Sequence, residues 1–117
     1  MQTPLYYNED STDFFYHADH TQGQGGAHLD AYIDHIAEGG VTTFLCNTNA
    51  QRTNYASDVW TPTWEGLDPD GPDDQPYLAG IASGPHPVDV SRWRSLATNM
   101  LALHEQGIDY PARVIER

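Results

Sequence analysis

Apolar residues recur along two stretches of the chain at the spacing of an amphipathic helix. The first stretch ends at Gly39 and Gly40, and its apolar positions are Leu29, Tyr32, Ile33, Ile36 and Ala37. The second runs from about Ser91 to Gln106, and its inner face carries Trp93, Leu96, Ala97, Met100, Leu101 and His104. Because residues three and four positions apart share one face of a helix, each stretch predicts a helix packed on a core.

Two shorter runs have the length and composition of β-strands. Leu5–Asn8 is apolar and aromatic, and Val41–Cys46 is mostly apolar and rich in β-branched residues. The second run is too apolar for a strand with one solvated face, which favours a parallel sheet covered on both faces. Residues 11–26 have the composition of a loop, and residues 50–88 form a longer loop that holds six of the eight prolines.

The order of these elements is strand, helix, strand, long loop and helix. Parallel strands joined by right-handed helical crossovers give this order. It predicts an α/β fold, the opening β-α-β-α units of an incomplete (β/α)8 (TIM) barrel, as a single partial domain over residues 1–117. Barrels of this kind place long loops after their strands, on the active-site side. We therefore expect the loop at about 50–88 to lie beside a ligand site.

The end of the chain favours an incomplete barrel. Asp109–Pro111 has the composition of a new helix start, and the chain ends soon afterwards at Arg117. A helix in that position would have little to pack against, and two strands alone do not form a stable covered sheet. We expect the remaining strands to come from further chain or from another subunit, and the unpaired sheet edges to favour self-association.

Three segments of the sequence resemble a known protein family. They are residues 5–15 (LYYNEDSTDFF), 41–55 (VTTFLCNTNAQRTNY) and 107–115 (GIDYPARVI). These segments are similar to the N-terminal region of a family of uncharacterised bacterial proteins that are regarded as glycoside-hydrolase-like TIM barrels. The resemblance implies a carbohydrate-active hydrolase. Since the family members are longer, it also implies that this chain is an N-terminal portion and that catalytic residues lie on strands beyond it.

The charge balance limits the classes of partner. The chain has 17 acidic residues against five basic ones, all five of them arginine, and its net charge is -12. Such a surface repels nucleic acid and anionic lipid, so we expect neither as a partner. A solubilising bias explains this charge, and adaptation to a saline environment is the alternative explanation.

Other features favour the cytoplasm. No apolar run approaches the ~20 residues of a membrane helix, and the N-terminus has neither the basic nor the apolar segment of a signal peptide. A single cysteine, Cys46, excludes an internal disulfide and fits a reducing compartment. We therefore expect a cytoplasmic protein with no membrane partner.

Polar residues follow both predicted strands. They are Asn8, Glu9 and Asp10 after the first strand and Asn47, Asn49 and Arg52 after the second. Because the carboxyl ends of parallel strands meet at one edge of a sheet, these side chains would lie together and bind the hydroxyl groups of a sugar. Turn formation is the alternative role of the Asn and Asp residues. Adjacent strand residues face opposite ways, so Glu9 and Asp10 do not by themselves supply the carboxylate pair of a glycosidase.

Aromatic residues of the long loop suggest a second part of the same site. They are Tyr55, Trp60, Trp64 and Tyr77. An aromatic ring offers an apolar face on which a sugar ring can stack, and attachment of the loop to the rest of the fold is the alternative role. Carbohydrate or another small polar ligand is therefore the expected partner, and a non-catalytic carbohydrate-binding module is the alternative to a hydrolase.

A third and less favoured hypothesis is a metal-binding domain. Its candidate ligands are His17, Asp19, His20 and His28, which are residue types that bind zinc and related divalent ions. Metal sites usually place their ligands on rigid elements, whereas His17 and His20 lie in a predicted glycine-rich loop. We therefore expect no metal and no other cofactor.

Overall fold

Helices make up most of the regular structure. The computed structural model describes residues 4–9, 12–16, 18–46, 49–50, 52–83 and 89–117. The helices in these residues are α1 (Thr12–Tyr16), α2 (Gly25–Glu38), α3 (Pro76–Ala82), α4 (Val90–Glu105) and α5 (Tyr110–Glu116). The strands are β1 (Tyr6–Glu9), β2 (Thr43–Cys46), β3 (Asn49–Ala50) and β4 (Arg52–Thr53). β1 pairs with β2 in parallel, and β3 pairs with β4 antiparallel.

The parallel pair of β1 and β2 is poorly covered. Tyr7 lies opposite Phe44, and their rings stack with centroids 5.8 Å apart. Tyr6 is 64% exposed and Leu45 is 47% exposed, so apolar surface of both strands faces solvent. At the end of β2, Cys46 packs against the helical core. The pair is therefore attached to the core at one end and open to solvent over much of its surface.

The prediction that the chain opens a TIM barrel is wrong. Within the described residues there is one parallel pair of four-residue strands, and it is not buried on both faces as barrel strands are. The apolar run Val41–Cys46 suggested a covered strand. Its cover comes instead from cross-strand aromatic stacking and from the contact of Cys46 with the core. The architecture is a small, helix-rich mixed fold.

The core lies between α1, α2, α4 and α5. Its buried apolar members are Phe14, Phe15, Leu29, Leu96, Met100, Leu103 and Tyr110. The closest helix packing joins α1 to α4. The chain is elongated, with a longest dimension of 54 Å and a radius of gyration of 15.2 Å, against about 13 Å for a compact domain of this length.

The two predicted amphipathic helices are confirmed as α2 and α4. The carboxylate of Asp89 caps α4 by accepting a hydrogen bond from the backbone N–H of Arg92 at 3.2 Å. Both predicted loops contain further structure, because α1 lies within residues 11–26, and β4 and α3 lie within residues 50–88. α1 has five residues and α3 has seven, which is too few to show helical periodicity.

α5 has packing partners, contrary to the expectation that a helix at this position would lack them. Tyr110 is buried in the core. Arg113 donates hydrogen bonds to both carboxylate oxygens of Asp30 at 2.9 Å, and Arg117 does the same to Asp34 at 3.0 and 2.6 Å. The acidic face of α2 therefore binds two of the five arginines. Since exposed ion pairs contribute little to stability, the burial of Tyr110 is the stronger attachment.

Asn99 connects α4 to the segment between α1 and α2. Its buried side chain accepts a hydrogen bond from the backbone N–H of His20 at 2.9 Å. Its amide donates to the carbonyl oxygens of Phe15 and Ala18 at 2.8 and 2.9 Å. Gln106 donates a further hydrogen bond to the carbonyl of His20 at 2.7 Å. Two amide side chains of one helical region therefore fix a segment that has no regular structure of its own.

We expect Asn99→Asp to destabilise the fold by about 3 kcal/mol at pH 7, because the buried carbonyl of Phe15 and the partly buried carbonyl of Ala18 would lose their donor. The substitution keeps the shape of the side chain but places an acceptor against the carbonyl oxygens of Phe15 and Ala18. Urea denaturation measures the free energy of unfolding. Ser95→Ala, at an exposed position of the same helix, is the control and should change it by less than about 0.5 kcal/mol. Equal stability of the two variants would contradict the assigned role of Asn99.

We expect self-association through the strand pair when the repulsion between acidic chains is screened. At about 1 M salt the Debye length is about 3 Å, and light scattering should then give a mass that rises with protein concentration. Leu45→Lys should reduce this rise, because a charged residue on an exposed strand opposes strand pairing. Val59→Lys makes the same charge change at a loop position that is 85% exposed and should leave the rise unchanged. A constant monomeric mass would refute the prediction.

Candidate functional site

The strand ends are adjacent, as parallel pairing requires. Asn8 lies opposite Leu45 and Glu9 lies opposite Cys46. Asp10 and Asn47 lie outside the described residues, and so do the side chains of Glu9 and Asn49. The predicted cluster of polar side chains at the strand ends therefore stays a prediction.

Arg52, on β4, is the member of the predicted cluster with the most informative surroundings. Its guanidinium carbon lies 5.8 Å from the centroid of the Tyr77 ring, a cation–π distance. Its Nη1 atom is buried and has no hydrogen-bond partner in the described part of the chain. Most buried polar atoms in folded proteins have such a partner, and a charged donor without one lowers stability. Arg52 thus retains a buried donor that an acceptor could satisfy.

Tyr77 supports Arg52 through a chain of hydrogen bonds. Its hydroxyl donates to the carbonyl oxygen of Thr63 and accepts from Nε1 of Trp93 at 3.0 Å. Burial raises the pKa of the Tyr77 hydroxyl, although the Trp93 hydrogen bond and the charge of Arg52 act in the opposite direction. The hydroxyl therefore stays protonated and keeps donating to Thr63. Since Trp93 belongs to α4, these hydrogen bonds connect the long loop to α4.

The backbone around Arg52 is also held in place. The N–H of Thr53 donates to the carbonyl of Thr61 at 3.0 Å. The N–H and the hydroxyl of Thr63 both donate to the carbonyl of Thr53, at 2.8 and 2.9 Å. Thr53 and Thr63 are both buried. The segment that carries Arg52 is therefore part of an ordered polar cluster, defined by Arg52, Thr53, Thr63, Tyr77 and Trp93.

The other aromatic candidates occupy different environments. Trp60 is 52% exposed, and Tyr55 is half-buried. Trp64 packs against the core and stacks on His104, with ring centroids 5.1 Å apart and an interplanar angle of 22°. Trp64 therefore attaches the loop to the fold, while about half of the surface of Trp60 is exposed to solvent. His104 is exposed, so its predicted place on the buried face of the helix is wrong.

The structure brings together two of the four predicted metal ligands. Nδ1 of His20 and Nδ1 of His28 are 3.1 Å apart. His20 is fully buried, and its Nε2 lies 2.7 Å from the carbonyl oxygen of Phe14. Asp19 is exposed and accepts hydrogen bonds from the N–H and hydroxyl of Thr21. His17 lies outside the described residues. Among those described, no group of three or more His, Cys, Asp or Glu side chains is arranged to hold a metal ion.

A cavity beside α4 does not add a ligand site. It has a volume of about 500 Å³ and lies beside α4, where Tyr16, Asp19, Arg94 and Asn99 are part of its wall. Arg94 already donates to Asp73 and to two loop carbonyls, and the hydrogen bonds of the Asn99 side chain are all internal. Arg94 and Asn99 are therefore engaged in holding the fold.

Sequence patterns did not predict the partners of the site residues. Trp93 appeared only as an apolar helix position, and Thr63 did not stand out. The proximity of His20 and His28 depends on the folding of the segment that Asn99 fixes. A polar residue within an otherwise apolar helical region, such as Asn99, was the available signal for a buried hydrogen-bonding role.

No protein-family model and no curated protein matches the chain. As for membranes, none of the helices in the described ranges combines the length and the apolar character needed to cross a bilayer.

The buried His20 ring makes stability dependent on pH. Burial is the largest cause that lowers the pKa of His20; the Phe14 carbonyl raises it, the neighbouring His28 lowers it, and Asp19 raises it. The net result is a pKa below the usual value of about 6.5. At a pH between the pKa of His20 in the folded chain and its pKa in the unfolded chain, the unfolded chain binds more protons than the folded chain. The free energy of unfolding therefore falls as the pH falls.

We expect this loss of stability to begin below about pH 6.5 and to be at most about 1.4 kcal/mol per pH unit, the limit for one proton. Urea denaturation between pH 7.5 and pH 5 in the presence of EDTA measures it. His28→Gln removes the nearby imidazole charge and should make the dependence shallower. His35→Gln, at an exposed position of α2, should keep the original dependence. A wild-type stability that is constant over this range would disprove the assignment.

Proposed function

We propose that the chain binds a small polar ligand of the carbohydrate class at Arg52. The observation that supports this proposal is the buried Nη1 atom of Arg52, which lacks a hydrogen-bond partner within the described residues. A hydroxyl or carboxylate oxygen of a ligand would satisfy this donor, and hydrogen bonds to a guanidinium are among the stronger ones in proteins.

The surroundings of Arg52 favour a sugar or a sugar acid over a highly charged ligand. A net charge of -12 opposes the approach of polyanions. A sugar acid carries one carboxylate that pairs with the guanidinium, together with hydroxyl groups that donate and accept hydrogen bonds. Trp60 lies in the same loop and is 52% exposed, so its ring is available for stacking.

The hydrolase activity that the family resemblance implies stays a prediction. Hydrolysis of a glycosidic bond requires two carboxylates about 5–9.5 Å apart, one on either side of the bond. Asp10 and the side chain of Glu9 lie outside the described residues. Binding at Arg52 requires neither of them, so a non-catalytic carbohydrate-binding role is the narrower function that we propose.

Nuclear magnetic resonance of the three tryptophan indole groups tests the proposal. Trp93 donates to Tyr77, whose ring lies beneath Arg52, so its indole signal reports a ligand at that residue. Trp60 reports stacking. We expect glucuronate to shift both signals, and glucose to shift them more weakly because it lacks the carboxylate. Arg52→Gln should weaken glucuronate binding about tenfold or more, which is the value of one charged hydrogen bond.

Arg92→Gln is the matched control, because it removes the same charge at an exposed position. Arg92 lies over the ring of Tyr16, with its guanidinium carbon 4.6 Å from the centroid, and takes no part in the polar cluster. It should leave glucuronate binding within about twofold of wild type. Signals that do not move with either sugar, or glucuronate binding that survives Arg52→Gln unchanged, would refute the proposed function.

A further inference from the structure

His20 and His28 present two imidazole nitrogens to each other, and the tautomer of one ring is fixed. The carbonyl oxygen of Phe14 can only accept a hydrogen bond, so Nε2 of His20, 2.7 Å away, carries the proton. In the neutral ring Nδ1 is then an unprotonated nitrogen. In the metal-free chain its lone pair accepts a hydrogen bond from Nδ1–H of His28, and the two nitrogens are 3.1 Å apart. This arrangement resembles a metal-binding histidine, which commonly donates its other N–H to a backbone carbonyl.

The spacing of the two nitrogens fits shared coordination of one ion. Zinc binds imidazole nitrogen at about 2.0–2.1 Å, so two adjacent ligands at angles of 90–110° lie about 2.9–3.4 Å apart. The observed separation of 3.1 Å falls within this interval. The ring planes are inclined at 57° with centroids 5.2 Å apart, so the rings do not stack face to face.

His20 is also held rigidly before any ion binds. Asn99 and Gln106 bind its backbone N–H and carbonyl at 2.9 and 2.7 Å, and Phe14 stacks on its ring with centroids 4.1 Å apart. His28 extends from α2, a regular helix of 14 residues. The objection raised from the sequence was that the ligands would lie in a glycine-rich loop and not on rigid elements, and it does not apply to this pair.

We propose that His20 and His28 bind a divalent transition-metal ion through their two Nδ1 atoms, with water completing the coordination. The proton that Nδ1 of His28 donates to Nδ1 of His20 in the metal-free chain then moves, through solvent, to Nε2 of His28. His28 is only partly buried, so its side of the pair is open to solvent. The adjacent acidic residue Asp19 and the large negative charge of the chain favour a cation at this place. Two protein ligands give an exchangeable site of moderate affinity, and the order of affinities should place Cu²⁺ above Zn²⁺. This site uses different residues from the Arg52 cluster and does not depend on the proposed sugar binding.

Isothermal titration of the full chain with Zn²⁺ and with Cu²⁺ at pH 7.5, after removal of metal with EDTA, tests the proposal. We expect one ion per chain, tighter binding of Cu²⁺, and a melting temperature that rises with the concentration of either ion. His28→Ala should weaken Zn²⁺ binding at least about tenfold. His35→Ala removes an exposed histidine of the same helix and should leave the affinity unchanged.

Nitrogen resonances of the imidazole rings provide a second measurement that does not depend on a variant. Zn²⁺ should shift Nδ1 of His20 and Nδ1 of His28, while Nε2 of His20 keeps its proton because Phe14 still accepts it. Binding that is equal in wild type and His28→Ala, binding that is lost in His35→Ala, or an absence of shifts at Nδ1 of His20 would each overturn the proposal.

Discussion

The side chain of Asn99 is the interaction on which most of the described structure depends. By bonding to one backbone group of α1 and two of the segment that follows it, it holds α1 against α4 and positions His20 inside the core. The position of His20 then determines its contacts with Phe14 and His28. Because a buried amide must satisfy both its donor and its acceptor, it defines one position of the segment, which apolar packing alone would not do.

The scarcity of positive charge explains how the outer elements are attached. Each of the five arginines has a defined partner: Asp73, Asp30 and Asp34 for three of them, and the rings of Tyr77 and Tyr16 for the other two. Acidic residues far outnumber them. An arginine can bind a carboxylate with two hydrogen bonds or lie on an aromatic ring, whereas lysine offers a single point of charge. Each of the few cations of this chain therefore takes part in an ion pair or a cation–π contact.

The sequence allowed α2, α4 and the start of α5 to be predicted, because apolar periodicity and the composition of Asp109–Pro111 are local signals. The two short apolar runs also allowed β1, β2 and their parallel pairing to be predicted, but not the fold around them. The apolar character of Val41–Cys46 was interpreted as burial between helix layers, although aromatic stacking between two strands satisfies part of it. For the site, Arg52 was a candidate from its residue type. Its contact with Tyr77 and the pairing of His20 with His28 arise from long-range packing and leave no spacing pattern in the sequence.

The parallel strand pair can open to solvent separately from the helical core. Its four-residue strands are stabilised by a short hydrogen-bond ladder and one aromatic stack, and it meets the helical core at Cys46. The backbone amides of the pair can therefore exchange with solvent through local opening, while those of α4 exchange only when the whole core unfolds. Substitutions in the strands would then change how often the strand pair opens in the native state, without lowering the barrier to global unfolding.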